Sequence, residues 1–246
     1  MGISTAPEIC WKIPGHRVYS VHETAALVQL EWPAELDEKD LLEGGHVAVS
    51  AAAATGVHTS YFAVLSVDRG SRTMTLYVKR SARGLVSAAL LDPAGGAVLS
   101  ISRPGPGILL PGSVHRPLFV AAGSGLASGL GLLGRLLRDP ARQYERAALF
   151  FVGRSDECDT VRDVLAAGGL ATSVELRLWD TGSQGRRVTA QDLLGVLATQ
   201  HPDWIYVCGP ASFAGMVREA AAATAGPAAA VVAECYDPPL EPARPE

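Results

Sequence analysis

Glycine, serine, cysteine and arginine fall in this chain where the handling of a nucleotide would use them. Gly123-Ser124-Gly125 follows an apolar run, Leu118 to Ala122, and opens into the Leu-rich segment Leu126 to Arg138. Glycines at such a corner let backbone approach a ligand closely, while the unpaired N–H groups and the dipole at a helix start favour an anion such as a pyrophosphate. Cys208-Gly209-Pro210 follows a second apolar run, Trp204 to Val207, and Gly153-Arg154 follows a third, Ala147 to Val152. Arg186 and Arg187, after Ser183, carry the planar forks that suit a phosphate such as an adenosine 2′-phosphate. The plainer reading of that pair is a solvated loop.

Other chemistries find less support. The six histidines, His16, His22, His46, His58, His115 and His201, show no H-x-x-x-H or H-E-x-x-H spacing. The four cysteines, Cys10, Cys158, Cys208 and Cys235, form no C-x-x-C pair, so neither zinc nor an iron–sulfur centre is expected and the thiols should be reduced, as in the cytoplasm. Gly123-Ser124-Gly125 comes nearest to a nucleophile elbow, but its spacing is wrong, which argues against a hydrolase. Gly129-Leu130-Gly131-Leu132-Leu133-Gly134 spells a dinucleotide fingerprint inside the proposed helix instead of at the strand-to-helix corner. There the glycines would serve close helix–sheet packing.

The elements that position these residues differ between the two halves. From Glu8 to about Leu110 the texture is short and β-like, at Val18–Val21, Ala25–Trp32, His46–Ser50, Ser60–Val67, Thr73–Lys79 and Ala97–Ser102, with one helical piece from Leu85 to Leu91. Many short strands at regular spacing predict an antiparallel β-barrel. After the Pro- and Gly-rich stretch 103–112 the pattern alternates strand and helix, as in a parallel sheet covered on both faces. Strands are expected at Leu118–Ala122, Ala147–Val152, Ser173–Leu178, Trp204–Val207 and Ala229–Ala233. Helices are expected at Leu126–Arg138, Glu157–Ala167, Ala190–Thr199 and Ser212–Ala223. Two domains follow, 1–113 and 114–246. The rim of the second would be lined by Gly123-Ser124-Gly125, Gly153-Arg154-Ser155, Trp179-Asp180-Thr181 and Cys208-Gly209-Pro210.

Bulk properties narrow the partners. At 246 residues and 48% hydrophobic the chain can bury sizeable cores. A net charge of −4, with a pI near 5.9 and no clustered basic field, argues against a nucleic-acid surface. The uncharged stretch Pro117 to Gly134 has the ~18 residues of a membrane-span candidate, but the Gly123 corner interrupts it and Arg135 and Arg138 follow. Met1 to Ile13 lacks the basic flank and apolar core of a signal peptide, so a cytoplasmic protein without a membrane partner is expected.

Several short motifs, in order, resemble the ferredoxin–NADP reductase superfamily. Leu76-Tyr77-Val78-Lys79-Arg80 is similar to the strand that lies along the flavin, and Gly84-Leu85-Val86-Ser87 with Leu90 to the loop that holds the flavin pyrophosphate. Gly123-Ser124-Gly125 resembles the G-T/S-G corner, Val152-Gly153-Arg154 the segment ending in arginine, Val207-Cys208-Gly209-Pro210 the C-G-P turn beside the nicotinamide, and Glu234-Cys235-Tyr236 the terminal E-x-F/Y element. The flavin signature R-x-Y-S/T is matched by Thr59-Ser60-Tyr61-Phe62, which keeps the tyrosine and lacks both the arginine and the hydroxyl. His58 or Arg83 could supply part of the missing charge. Ser128 stands where a proline usually follows the corner.

The resemblance implies a flavin-dependent NAD(P)H oxidoreductase with FAD and NAD(P)H as cofactors and Cys208, Tyr61 and Tyr236 at the reacting centre. The pyrophosphate, short of one cationic partner, would leave a readily lost flavin. The electrons would pass to a small-molecule substrate or to a separate electron-acceptor protein. The alternative is a reductase-like fold repurposed as a non-redox biosynthetic enzyme or binding module.

Overall fold

A computed structural model describes residues 10–21, 25–81, 84–102, 104–105, 107–141, 144–224 and 229–235, which fall into two compact units. The first unit takes the described residues up to Leu110 together with Leu130–Arg138; the second takes Pro111–Gly129 and the described residues from Asp139 onward.

The first unit is an antiparallel sheet of seven strands: β1 (Cys10–Lys12), β2 (His16–Val21), β3 (Ala25–Glu31), β4 (His46–Ala53), β5 (Gly56–Asp68), β6 (Thr73–Lys79) and β7 (Leu99–Ser102), in the order β1-β7-β4-β5-β6-β3-β2. Period-two alternation turns Val28 and Leu30, Val47 and Val49, Met74, Leu76 and Val78, and Leu99 and Ile101 into one core, closed by Val86 and Leu90 of helix α1 (Leu85–Leu91). Register breaks between Val18 and Val21 and between Val64 and Ser66 bend the strands, and the sheet curls about that core. Asp92-Pro93 ends α1, since proline disfavours helical backbone in the residue before it.

The second unit is a parallel sheet of β8 (Pro117–Ala122), β9 (Ala147–Gly153), β10 (Val174–Asp180), β11 (Trp204–Gly209) and β12 (Ala230–Cys235), ordered β10-β9-β8-β11-β12. Helix α2 (Leu126–Arg138) starts in this unit, and its residues from Leu130 onward belong to the first; α3 (Ser155–Ala167), α4 (Thr181–Gln184), α5 (Ala190–Gln200) and α6 (Ala211–Thr224) lie wholly in the second. On one face Ile205 and Val207 pack with Leu193, Val196 and Leu197 of α5 and with Phe213 and Val217 of α6. On the other, Phe119 of β8 meets Trp204 and Tyr206 of β11, with centroids 5.6 and 5.9 Å apart. The chain runs from β8 outward through β9 and β10, then returns to β11 on the other side of β8. The winding therefore reverses between β8 and β11, and at such a reversal the crossover loops diverge and leave a crevice at the carboxyl ends.

Differences from the sequence expectation lie at element ends. Residues 10–12 are too few to show alternation, and β2 and β5 extend to His16 and Gly56 through stretches that lack an apolar period. The four-residue α4 was not expected, and β7 begins at Leu99 instead of Ala97.

Candidate functional site

The reversal of the parallel sheet brings the Gly123 corner against the Cys208 turn. Gly123 takes φ +55°, a left-handed conformation suited to glycine, and residues 123–125 make one 3-10 turn that leads into α2. Gly125 has no room for a side chain. A Cβ there would lie 2.6 Å from the Cys208 carbonyl carbon and 3.0 Å from Cys208 Sγ. Cys208 and Gly209 are buried and Pro210 is half-buried. Desolvation, followed by the charge of Glu234, pushes the Cys208 thiol up to about 12. Cys208 is therefore a neutral thiol at physiological pH.

Beside it lies a polar cluster of Ser128, Tyr206 and Glu234, a grouping that the sequence reading did not anticipate. Cys208 and Glu234 are register partners on β11 and β12, and Tyr206, two residues before Cys208, faces the same side of the sheet. Ser128 Oγ, on α2, lies 2.6 Å from both Tyr206 Oη and Glu234 Oε2, and Tyr206 also donates to Glu234 Oε2. Ser128 and Tyr206 are buried while Glu234 is half-exposed, so a carboxylate at the strand ends is held from inside the unit by two hydroxyls. Burial, reinforced by the negative charge nearby, raises the Tyr206 phenol, which stays a donor. The signal was present in the sequence as Tyr206 and Cys208 at strand period and as Ser128 in the place of proline, but the pairing with Glu234 needed the β11–β12 register.

The outer strands carry the charged part of the rim. Arg154 precedes α3, exposed, with Nε 3.8 Å from Asp156, and its backbone N–H donates to the buried Glu157. Arg186 lies over the Trp179 ring at 4.5 Å and makes a two-pronged pair with Asp192 at 2.7 and 2.8 Å. Asp180 accepts from Gly182 N, Ser183 N, Ser155 Oγ and Ser183 Oγ, and those hydroxyls hold its carboxyl down at about 2.

In the antiparallel unit the other predicted residues divide between surface and core. Thr59 and Tyr61 lie on the outward face of β5, with Thr59 Oγ1 2.7 Å from Ser50 Oγ and Tyr61 72% exposed. Ser60 and Phe62 point inward, and Phe62 packs on the core. Tyr77 and Val78 are buried and Lys79 is half-buried, so a ligand along β6 would meet the backbone of Val78 and not its side chain. Gly84 precedes α1, Leu85 is exposed, Val86 and Ser87 are buried, and Ser87 Oγ donates to the Gly84 carbonyl at 2.9 Å. The His58 ring is engaged by Thr55 Oγ1 at 2.7 Å. Arg83 and Tyr236 lie outside the described residues.

These residues fit the groups that the resemblance implies. An exposed tyrosine on an open sheet face suits a planar ring system, and a corner with glycine on both sides of Ser124 at the sheet reversal suits a pyrophosphate. The fit is weakest at Thr59, where a hydroxyl stands in place of a cation. Among the described residues no group of three or more His, Cys, Asp or Glu could hold a metal ion, and no helix is long and apolar enough to cross a membrane.

No protein-family model and no curated protein sequence matches this chain. Solved structures do. A ferredoxin NADP+ reductase from Neisseria gonorrhoeae, with bound FAD and NADP, aligns with TM-score 0.65 and 14% identity over 93% of this chain and 99% of that one. The flavohem-like FAD/NAD-binding domain of nitric oxide dioxygenase from Vibrio cholerae aligns with TM-score 0.63 and 16% identity over 92% and 98%. An intact type IV self-sufficient cytochrome P450 monooxygenase aligns with TM-score 0.66 and 18% identity, over 92% of this chain but 28% of that protein. The fold of this chain is the two-domain fold of the ferredoxin NADP+ reductase.

Proposed function

We propose that this chain, which has the ferredoxin–NADP reductase fold, is a flavin-dependent NAD(P)H oxidoreductase. FAD would be held by the antiparallel unit (1–113) and the nicotinamide dinucleotide by the parallel unit (114–246). The observation that carries the reading is the packing of Gly125 against Cys208 at the sheet reversal, with no space for even one Cβ. Tyr61 would stack on the flavin ring, the backbone of Tyr77 to Lys79 would run along it, and the Gly84–Ser87 turn would receive the pyrophosphate. Gly123, Ser124 and Gly125 would receive the dinucleotide's phosphates, and Cys208, Gly209 and Pro210 would border the nicotinamide.

When bound, the flavin and nicotinamide supply the redox chemistry, and the protein contributes orientation and electrostatics. Its part at the reacting end is to keep Cys208 neutral and Glu234 fixed by Ser128 and Tyr206. The electrons would leave to a separate acceptor protein or a small molecule, in keeping with the acceptor-linked proteins that share the fold. One observation favours the alternative of a repurposed, non-redox module: Thr59 is paired to Ser50 where a flavin anion would need a cation.

The test is the absorption spectrum of the purified chain after incubation with FAD, followed by NADH or NADPH oxidation with ferricyanide as acceptor. A bound flavin spectrum and flavin-dependent oxidation are expected. Absence of both would leave the non-redox reading.

A further inference from the structure

We propose that the parallel unit selects the dinucleotide without a 2′-phosphate, NADH over NADPH, because Asp192 occupies the Arg186 fork and Asp180 fixes a negative charge on the same rim. This rests on the reading of that unit as the nicotinamide-binding half. With the nicotinamide over Cys208-Gly209-Pro210 and the pyrophosphate at the Gly123 corner, the strand order β11-β8-β9-β10 sends the adenosine toward β9 and β10, strands spaced about 4.8 Å apart. The charged side chains there belong to Arg154, Asp156, Asp180 and the segment 185–192.

A phosphate monoester brings a charge of about −1.5 to −2 near neutral pH and needs cations to receive it. Arg186 has the right geometry, but both its terminal nitrogens are held by Asp192. Asp192 is in turn pinned by Thr189, through the backbone N–H at 2.8 Å and the hydroxyl at 2.6 Å. Capture of a phosphate would have to break this pair.

Asp180 adds to the barrier. Its two oxygens already accept four hydrogen bonds, about the full capacity of a carboxylate, so it remains in place as a charge and has little left to offer a ribose hydroxyl. Asp156, Asp180 and Asp192 offset Arg154, Arg186 and Arg187, so the outer rim has no net positive field. A non-phosphorylated ribose pays no penalty there.

The test is equilibrium binding of NADH and of NADPH, followed by nicotinamide fluorescence, to the wild-type chain and to Asp192→Asn and Asp180→Asn. Wild type is expected to bind NADH at least about 10-fold more tightly. Asp192→Asn, which loosens the clamp on Arg186, should narrow that ratio by about 10-fold, and Asp180→Asn should narrow it in the same direction by less. Equal affinities or an NADPH preference in the wild type would overturn the inference, as would a ratio that neither variant moves. Binding of neither dinucleotide would remove the nicotinamide reading itself and the selectivity with it.

Discussion

Tyr206 and Glu234 stand on neighbouring parallel strands, and the buried phenol of the first donates to the same carboxylate oxygen that Ser128 holds. Tyr206→Phe keeps the ring against Phe119 and Trp204 and removes the hydroxyl alone. A hydrogen bond to a charged acceptor contributes about 1.5–3 kcal/mol, so urea unfolding of this variant should show a loss of that order. Ser128→Ala should lose a similar amount. Because the two hydroxyls share one oxygen, the double variant is expected to fall short of the sum. Strictly additive losses would mean that the three groups do not act as a unit.

The Gly125–Cys208 packing separates two glycines of the same region. Gly125→Ala would drive a Cβ into the Cys208 carbonyl carbon at 2.6 Å, which only a backbone shift can relieve. Overpacking of this kind costs roughly 1–3 kcal/mol. At Gly129 a Cβ would meet Ala121 Cβ at 3.5 Å, an ordinary contact, and alanine gains about 1 kcal/mol in helix propensity. Thermal melts should therefore move in opposite directions for the two variants, and under the proposed function only Gly125→Ala should lose dinucleotide binding.

How much of this was legible in the sequence depends on the range of the interaction. The switch of texture near residue 110 and the corner at Gly123 are local signals, with apolar periods of two and 3.6 and glycine at a turn, and both appear where the residues place them. Gly131 shows the limit. Its spacing in the false fingerprint suggests close packing, but only the structure shows that a Cβ there would lie 2.5 Å from the Val64 carbonyl oxygen. Arg186 is the sharper case. Its type suited a phosphate, but the partner that holds it, Asp192, sits six residues on at the start of α5, where its carboxylate also caps the helix through Thr189. Register and capping decide such partnerships, and residue type alone does not reveal them.

Burial makes the thiols a probe of pH. The free-thiol value of 9.0 is raised to about 12 at Cys208 and to about 11 at Cys158, by desolvation first in both. The folded state thus retains protons that the unfolded state gives up, and stability should fall as pH rises from about 9 through 11 and 12. Denaturant midpoints taken from pH 7 to 11 should decline, and Cys208→Ser should flatten the decline. Mass spectrometry after iodoacetamide at pH 8 should find Cys235, which is exposed, labelled in the folded protein and Cys158 and Cys208 labelled only after unfolding.

At the acid end Asp180 gives the opposite slope. The Ser183 and Ser155 hydroxyls lower its carboxyl from 3.8 to about 2, so the folded state favours the charged form. That contribution is fully present above pH 3.8 and is lost as pH falls through about 2. Amide protection factors in residues 181–185, corrected for the intrinsic pH dependence of exchange, should fall over that window in the wild type. Asp180→Asn should show lower protection already at pH 6 and little further loss on acidification.

Under the proposed function, Thr59 is the residue on which flavin affinity turns. Its hydroxyl is paired with Ser50 on the outward face of β5, two residues from the exposed Tyr61, and it brings no charge to that face. Under the flavoenzyme reading the ring system has a surface to stack on while the pyrophosphate lacks one cationic partner, so wild-type protein should lose FAD on gel filtration. Thr59→Arg places a fork on the same exposed strand position without disturbing the core. One charge-assisted contact of about 1.4 kcal/mol corresponds to a tighter flavin by ~10-fold, measurable by fluorescence titration. Ser87→Asp tests the other end of the same anion site: a carboxylate in the Gly84–Ser87 turn would oppose the pyrophosphate and should abolish retention even in the Thr59→Arg background. If Thr59→Arg leaves flavin affinity unchanged while Ser87→Asp still weakens it, the pyrophosphate lies at the turn but out of reach of residue 59. If neither substitution moves it, the outward face of β5 is not a flavin site.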